Sequence, residues 1–426
     1  MRAFTNLFFI ILLIQYAFSA NIDFLLEKAV YLTKENDLKK YFDIAFKSYN
    51  EGLYDITEKN CLRYLKNTSL MNENRWKILE LLAFTYYRTK NKWAMKHYVE
   101  KELYKGREYI DKDTQKRIFV LVYNLFLDDK KERQTIKSKF RYIWRINNKK
   151  LSLPENLQSF TPFVNIFPYK NKRLFGSNKI YFSDTNQTLY EVGYKTDMGY
   201  DELREANPLI DPFDIRKDMA LILPRKRLIP AIRVKVGEIY INLVEKRLYY
   251  VYKDINKSYI ITFPIGVGTD DKKSPVGTFK ISEKRKNPAW YVPENIRKEN
   301  PQLPDVVPPG ENNPLGTRAM RLGSSSYLIH GTNKSFGVGL KVSHGCIRLF
   351  NRDVERLFNL VNKGTTVKIY EKYIKASYIN NKKYIEIHGR KKELKNINLN
   401  IYAKKVNKNY LQFIKIEKRG FAFPLF

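Results

Sequence analysis

Two short stretches hold most of the reactive side chains: Ile329-His330-Gly331-Thr332 and Ser343-His344-Gly345-Cys346-Ile347-Arg348-Leu349. A thiol thus follows a His-Gly pair directly, and a second histidine lies 346 − 330 = 16 positions upstream. A thiolate is a strong nucleophile, and a nearby imidazole can take its proton. Either histidine suits that role. In an extended segment His344, two residues away, shares a face with Cys346, whereas His330 ends a separate apolar run and can approach from a neighbouring strand. Gly345 has no Cβ, so the backbone there can turn until the N–H groups of Gly345 and Cys346 converge on a developing oxyanion. Arg348 carries a rigid fork suited to a carboxylate and, if extended, shares the face of Cys346.

Rival chemistries fit less well. His330, His344, His388 and Cys346 could be imagined around a metal, but His-x-Cys is not a usual zinc spacing and no Cys-x-x-Cys pair exists. The local signature of papain-like cysteine proteases is absent. A lone cysteine between strands is commonly inert and buried, yet the clustered His, Gly and Arg argue against that here. The expected chemistry is covalent catalysis by a cysteine nucleophile, with no metal and no organic cofactor.

Positioning these groups requires strands. β-branched and aromatic runs at 238–243, 247–252 and 259–265 read as strands, the first two separated by the charged turn Glu245-Lys246. Gly266, Gly268, Pro275 and Gly277 punctuate the segment that follows. A short strand at 327–329 delivers His330. A helix is expected over 353–361, capped by Asn351, and a closing strand over 365–369. The catalytic unit, 231–372, is therefore mainly β with one late helix.

Upstream, residues 20–150 read as helical, with apolar residues at three- and four-residue spacing such as Trp76, Leu79, Leu82, Ala83 and Tyr86. Ala45-Phe46 with Tyr49 and Tyr54 echoes Ala83-Phe84 with Tyr87 and Trp93, so a tetratricopeptide-like set of helix pairs competes with an ordinary helical bundle. Residues 151–178, with Pro154, Pro162 and Pro168, read as a linker. Residues 179–230 resemble a LysM module, a small β-α-α-β domain that binds glycan chains, through Leu189, Leu203, Asn207-Pro208, Ile215 and Leu223-Pro224; Lys217-Asp218 departs from the glycine usual there. Residues 373–426 form a basic C-terminal extension, and His388 within it reads as a surface or packing residue.

The ends and the charge bound the setting. Residues 1–19, with Arg2, an apolar run at 7–14 and Ala17-Phe18-Ser19, read as a secretory signal too short to span a membrane after processing. Two cysteines cannot make a disulfide framework. The net charge of +34 would attract anionic surfaces, but no nucleic-acid-binding pattern accompanies it, so nucleic acid is not an expected partner.

Residues 236–370 resemble the L,D-transpeptidase (YkuD-type) catalytic domain. The resemblance is carried by Ile241-Asn242-Leu243, Arg247-Leu248-Tyr249, Pro264 to Gly268, Ser274 to Gly277, Asn287-Pro288-Ala289-Trp290, Asn313 to Gly316, Ile329 to Thr332 and Ser343 to Leu349, in that order. With the LysM-like module ahead of it, the arrangement is similar to that of Gram-negative periplasmic members, although the first 150 residues are not covered. The resemblance implies that Cys346 is the acylated nucleophile and that His330 is the base, oriented by a carbonyl near Gly331. It implies His344 and Gly345 at the oxyanion hole, and Arg348, Gly331 and Ser343 on the substrate side. The implied partners are peptidoglycan stem peptides and glycan strands, with an envelope lipoprotein as one candidate acyl acceptor. An L,D-carboxypeptidase and a non-catalytic wall-binding scaffold are the alternatives.

Overall fold

A computed structural model describes residues 34–145, 165–169, 173–230, 232–254, 257–403 and 406–425. The signal assigned to residues 1–19 and most of the linker lie outside the described residues. Among those described, no helix is long and apolar enough to cross a membrane. The chain forms two compact units that meet in sequence at Ile110 and Asp111.

The first unit is all helix, over 34–50, Tyr54–Lys66, Glu73–Arg88 and 92–105, the last widening into a π-turn at Met95–Glu100. Asn72 starts its helix by accepting from the N–H groups of Asn74 and Arg75, donors that the helix itself cannot satisfy. Cys61 packs inside this unit, fully buried.

The second unit begins with the helices Lys112–Leu125, Lys130–Lys139 and Arg141–Trp144, then turns to strands. β1 (Asn165–Pro168) is followed by a small module with β2 (Leu174–Phe175), β3 (Lys179–Phe182), two helices (Leu189–Thr196, Tyr200–Ala206), β4 (Ala220–Leu223) and β5 (Arg227–Leu228). β3 pairs antiparallel with β4 and β2 with β5. The β-α-α-β order read from the sequence is present, and a Thr188–Glu191 capping box starts its first helix. Helix Lys112–Leu125 is stitched to the module: Asn124 exchanges two hydrogen bonds with the backbone of Ala220, at 2.8 and 2.9 Å.

Thereafter come β6 (Ile239–Asn242), β7 (Arg247–Lys253), β8 (Ser258–Pro264), β9 (Val267–Gly268), β10 (Gly277–Lys286), β11 (Trp290–Tyr291), β12 (Val306–Val307), β13 (Arg318–Leu322), β14 (Leu328–His330), β15 (Lys341–Ser343), β16 (Ile347–Arg348) and β17 (Thr366–Tyr370). Nine strands form one sheet in the order β1-β8-β7-β6-β17-β10-β13-β14-β16. Two features were not expected. Residues 165–168, read as linker, supply the edge strand β1, paired antiparallel with β8. The long strand β10 and its partner β13 were not foreseen as strands.

One face of this sheet is apolar throughout. Ile239, Ile241, Ile281, Met320, Leu322, Ile329, Ile347 and Val367 bury against Val354, Leu357 and Phe358 of helix Asn351–Leu360. The opposite face changes character along the sheet. Near β6, β7 and β8 it carries Tyr240, Tyr249, Val251 and Ile260 against Phe175; near β13, β14 and β16 it carries polar side chains.

The extension is part of the fold. β18 (Ile374–Ile379), β19 (Lys382–Ile387) and β20 (Phe423–Pro424) form a three-stranded sheet, and helix Lys408–Glu417 buries Tyr410, Leu411, Phe413 and Ile414.

Candidate active site

Strand register places the reactive residues. β10 and β13 pair Glu283 with Arg321 and Arg285 with Ala319. β13 and β14 pair Arg321 with Leu328 and Ala319 with His330. β14 and β16 run parallel, pairing Ile329 with Ile347 and His330 with Arg348. Paired residues share a face and neighbours alternate. Two rows therefore cross the four strands on the polar face: Arg285–Ala319–His330–Arg348, and Glu283–Arg321–Leu328 leading to Cys346 at the entry of β16. Ile329 and Ile347 point the other way, into the core. His330, Cys346 and Arg348 are thus on one face, with His330 and Cys346 diagonal neighbours roughly 7 Å apart in Cα.

The turn before Cys346 is held from within. The Ser343 hydroxyl donates to the Cys346 carbonyl at 2.6 Å and accepts from the Gly345 N–H at 3.1 Å. Gly345 has φ +104°, and a Cβ there would stand 2.5 Å from the Tyr327 ring, so only glycine fits. Both Ser343 bonds are internal, so its hydroxyl braces the turn at Cys346. The Gly345 N–H is already engaged, so an oxyanion would have to share it. Arg348 is fixed by a backbone exchange with Gly266 at 2.8 and 2.9 Å.

Asn351 has a different role from the cap expected of it. It is the first residue of its helix, and its carboxamide oxygen accepts from the N–H groups of Thr317 and Thr332, at 3.3 and 3.1 Å. This fixes the loop after His330. A Cβ on Gly331 would lie 2.2 Å from that oxygen, so Gly331 permits the close approach.

The electrostatics separate the two histidines. His330 is buried, and burial together with the Arg348 guanidinium pushes its pKa down to about 3, against a smaller opposing effect of backbone groups at Gly331 and Leu315. Its ring is neutral at ordinary pH, and Nδ1 has no well-formed hydrogen bond. His344 points outward, its side chain 37% exposed, with Nε2 2.9 Å from Glu299 on helix Glu294–Glu299. Lys272 joins the same carboxylate. Burial raises the Cys346 thiol above its ordinary range, while the Leu328 backbone, Arg348 and Arg321 pull it back. Arg348 has no carboxylate partner among the described residues, and its Nε is buried without a hydrogen bond. Arg321 and Arg285 were not singled out from the sequence; pairing register alone brings them to this face.

Glu245, Glu386 and His388 form another cluster, with ligand-type atoms within 4.8 Å of one another. The Lys375 ammonium sits among them, 2.6 Å from Glu245 and 2.9 Å from Glu386. A cationic side chain therefore holds the place where a metal would bind. His388 is fully buried here, bonded to Glu386 at 2.8 Å and Glu205 at 3.2 Å, which corrects the reading of it as a surface residue while keeping it as a packing one.

Comparison with known proteins gives the family. Residues 237–369 match the L,D-transpeptidase catalytic domain (YkuD). The chain belongs to the L,D-transpeptidase family. It is 38% identical over 231 residues to the probable L,D-transpeptidase YcfS of Escherichia coli K12, covering 52% of this chain and 71% of that protein. The probable L,D-transpeptidase YbiS of the same strain is 37% identical over 230 residues, covering 52% and 74%. The probable L,D-transpeptidase ErfK/SrfK of Salmonella typhimurium LT2 is 35% identical over 211 residues, covering 48% and 67%.

Proposed function

We propose that this L,D-transpeptidase acts on peptidoglycan through a Cys346 thioester. Cys346 attacks the carbonyl between the third residue of a stem tetrapeptide, a diamino acid, and the terminal D-Ala. As Sγ bonds to that carbonyl His330 takes the thiol proton, and it returns the proton to the departing D-Ala amine as the C–N bond breaks. Arg348 offers its fork to a substrate carboxylate, and backbone N–H groups around His344, Gly345 and Cys346 receive the oxyanion. An amine then resolves the thioester: the diamino acid side chain of another stem, giving a 3→3 cross-link, or a lysine of an envelope lipoprotein, giving covalent anchoring. Water as acceptor would make the enzyme an L,D-carboxypeptidase. The observation that carries this reading is a buried, neutral His330 on the same sheet face as Cys346 and an unpaired Arg348.

The β-α-α-β module supports a LysM-like role in gripping glycan strands, and the helix pairs of the first unit support a tetratricopeptide-like scaffold. Residues 1–19 would direct export to the periplasm. Incubation with purified tetrapeptide muropeptides should yield a Cys346-linked acyl adduct by intact mass, lost in Cys346→Ala. Wall binding with no adduct would instead favour a non-catalytic scaffold.

A further inference from the structure

Two arginines on the catalytic face have no assigned role. Arg321 and Arg285 both reach Glu283, each through Nε, at 3.2 and 2.5 Å. Arg321 Nη1 also donates to the Ser325 carbonyl at 3.1 Å. Glu283 thereby grips both guanidinium groups by the same nitrogen, leaving Arg321 Nη2 and both terminal nitrogens of Arg285 without a protein acceptor among the described residues. The floor beside them is Ala319 and Leu328, and Pro288 and Leu315 wall the hollow. With Arg348, the face holds three guanidinium groups against one carboxylate, next to an uncharged thiol and an uncharged imidazole.

We propose that Arg321 and Arg285, set by Glu283, form a carboxylate-binding subsite for the donor stem peptide, distinct from Arg348. The inference rests on Cys346 being acylated by that peptide. Arg321 is in the row that leads to Cys346, two strand spacings away, or ~10 Å. A peptide advances ~3.4 Å per residue when extended, so that distance spans about three residues of backbone, fewer once the reach of the arginine and donor side chains is taken off. Two groups of the donor fit: the second carboxylate of the diamino acid and the terminal carboxylate of the leaving residue. A planar fork with free N–H groups suits either.

The test uses the full chain and three tetrapeptide donors: unmodified, amidated at the terminal carboxylate, and amidated at the diamino acid carboxylate. Half-saturation of Cys346 acylation is followed by intact mass. For wild type, one of the two amidations should raise half-saturation roughly tenfold, the size of one charge-assisted hydrogen bond. Which amidation does so identifies the group. Arg321→Gln should raise half-saturation for the unmodified donor by a similar factor and become indifferent to that amidation; Arg321→Lys should recover part of the loss. Glu283→Gln keeps a side-chain acceptor of the same shape but removes the negative charge beside the subsite, so it should shift the other way, and a general folding defect cannot produce that opposite sign. An Arg321→Gln enzyme with wild-type half-saturation and wild-type sensitivity to both amidations would overturn the subsite alone. A wild-type enzyme that no tetrapeptide acylates would overturn the transpeptidase reading and the subsite with it. Should Arg321→Gln not fold, Arg285→Gln and Glu283→Gln carry the same opposed predictions.

Discussion

A histidine whose proton leaves by about pH 3 cannot hold a thiolate as its imidazolium partner. In the free enzyme the positive field at Cys346 comes from Arg348 and Arg321, and it only partly offsets burial. Alkylation of Cys346 by iodoacetamide should therefore rise with pH along a single limb whose midpoint lies above that of an ordinary thiol. Arg348→Gln should move the midpoint higher still, since the thiolate loses a favourable charge. His330→Gln should leave that limb in place, yet lower the acylation rate by ~10²–10⁴, the usual worth of a positioned base. A midpoint near neutrality that disappears in His330→Gln would mean a His–Cys ion pair instead. Cys346, His330 and Arg348 were legible in the sequence because two short motifs spell them out with glycines that little else explains. Arg285 and Arg321 were not, because in a chain with 78 lysines and arginines a single arginine carries no signal until strand pairing gives it neighbours.

The strands β6, β7, β8 and β17 could be read from their β-branched and aromatic runs because both of their faces are buried. β10 escaped because its outer face serves the site with Glu283 and Arg285, and even its inner face uses Lys284, whose ammonium reaches the Phe358 and Val361 carbonyls at 2.7 and 2.5 Å. Functional strands lose the apolar alternation that announces a strand. Asn351 shows the same limit for helices: its position suggests a cap, but its partners, Thr317 and Thr332, are remote in sequence. Asn351→Ala would leave two N–H groups without their acceptor. It should lower unfolding free energy by about 1–3 kcal/mol in urea titrations and slow acylation by loosening the loop after His330. Unchanged stability and rate would show that water replaces the carboxamide.

Across the second unit, buried charge joins segments far apart in sequence. Glu202 of the module holds Arg227 at 2.5 Å and Arg247 of β7 at 2.6 Å. Glu245 meets Lys375, while Glu386 and Glu205 meet His388. Burial alone would lower the His388 pKa, but Glu245 and the bonds to Glu205 and Glu386 raise it to about 9. Its folded value exceeds the unfolded one near 6.5, so its contribution is complete below pH ~6.5 and is lost as pH rises through about 9. Thermal melts should show stability declining across that window, with a flatter decline in His388→Leu. Lys375→Met should cost about 3–5 kcal/mol, because it removes the ammonium that the two buried carboxylates share. A variant as stable as wild type would mean that the cluster rearranges freely. None of this was legible from residues 373–426, where a basic tail gives no hint that Lys375, Glu386 and His388 find partners between 202 and 247. The edge strand β1 adds a geometric consequence. The chain leaves the large sheet at Pro168, builds the module and returns at Ile239, so the module is a loop of the sheet fastened at both ends and cross-linked by Glu202. If the module grips the wall as proposed, that surface would meet Cys346 at one set offset and angle, and the enzyme would work as a ruler on the wall, not as a blade on a string.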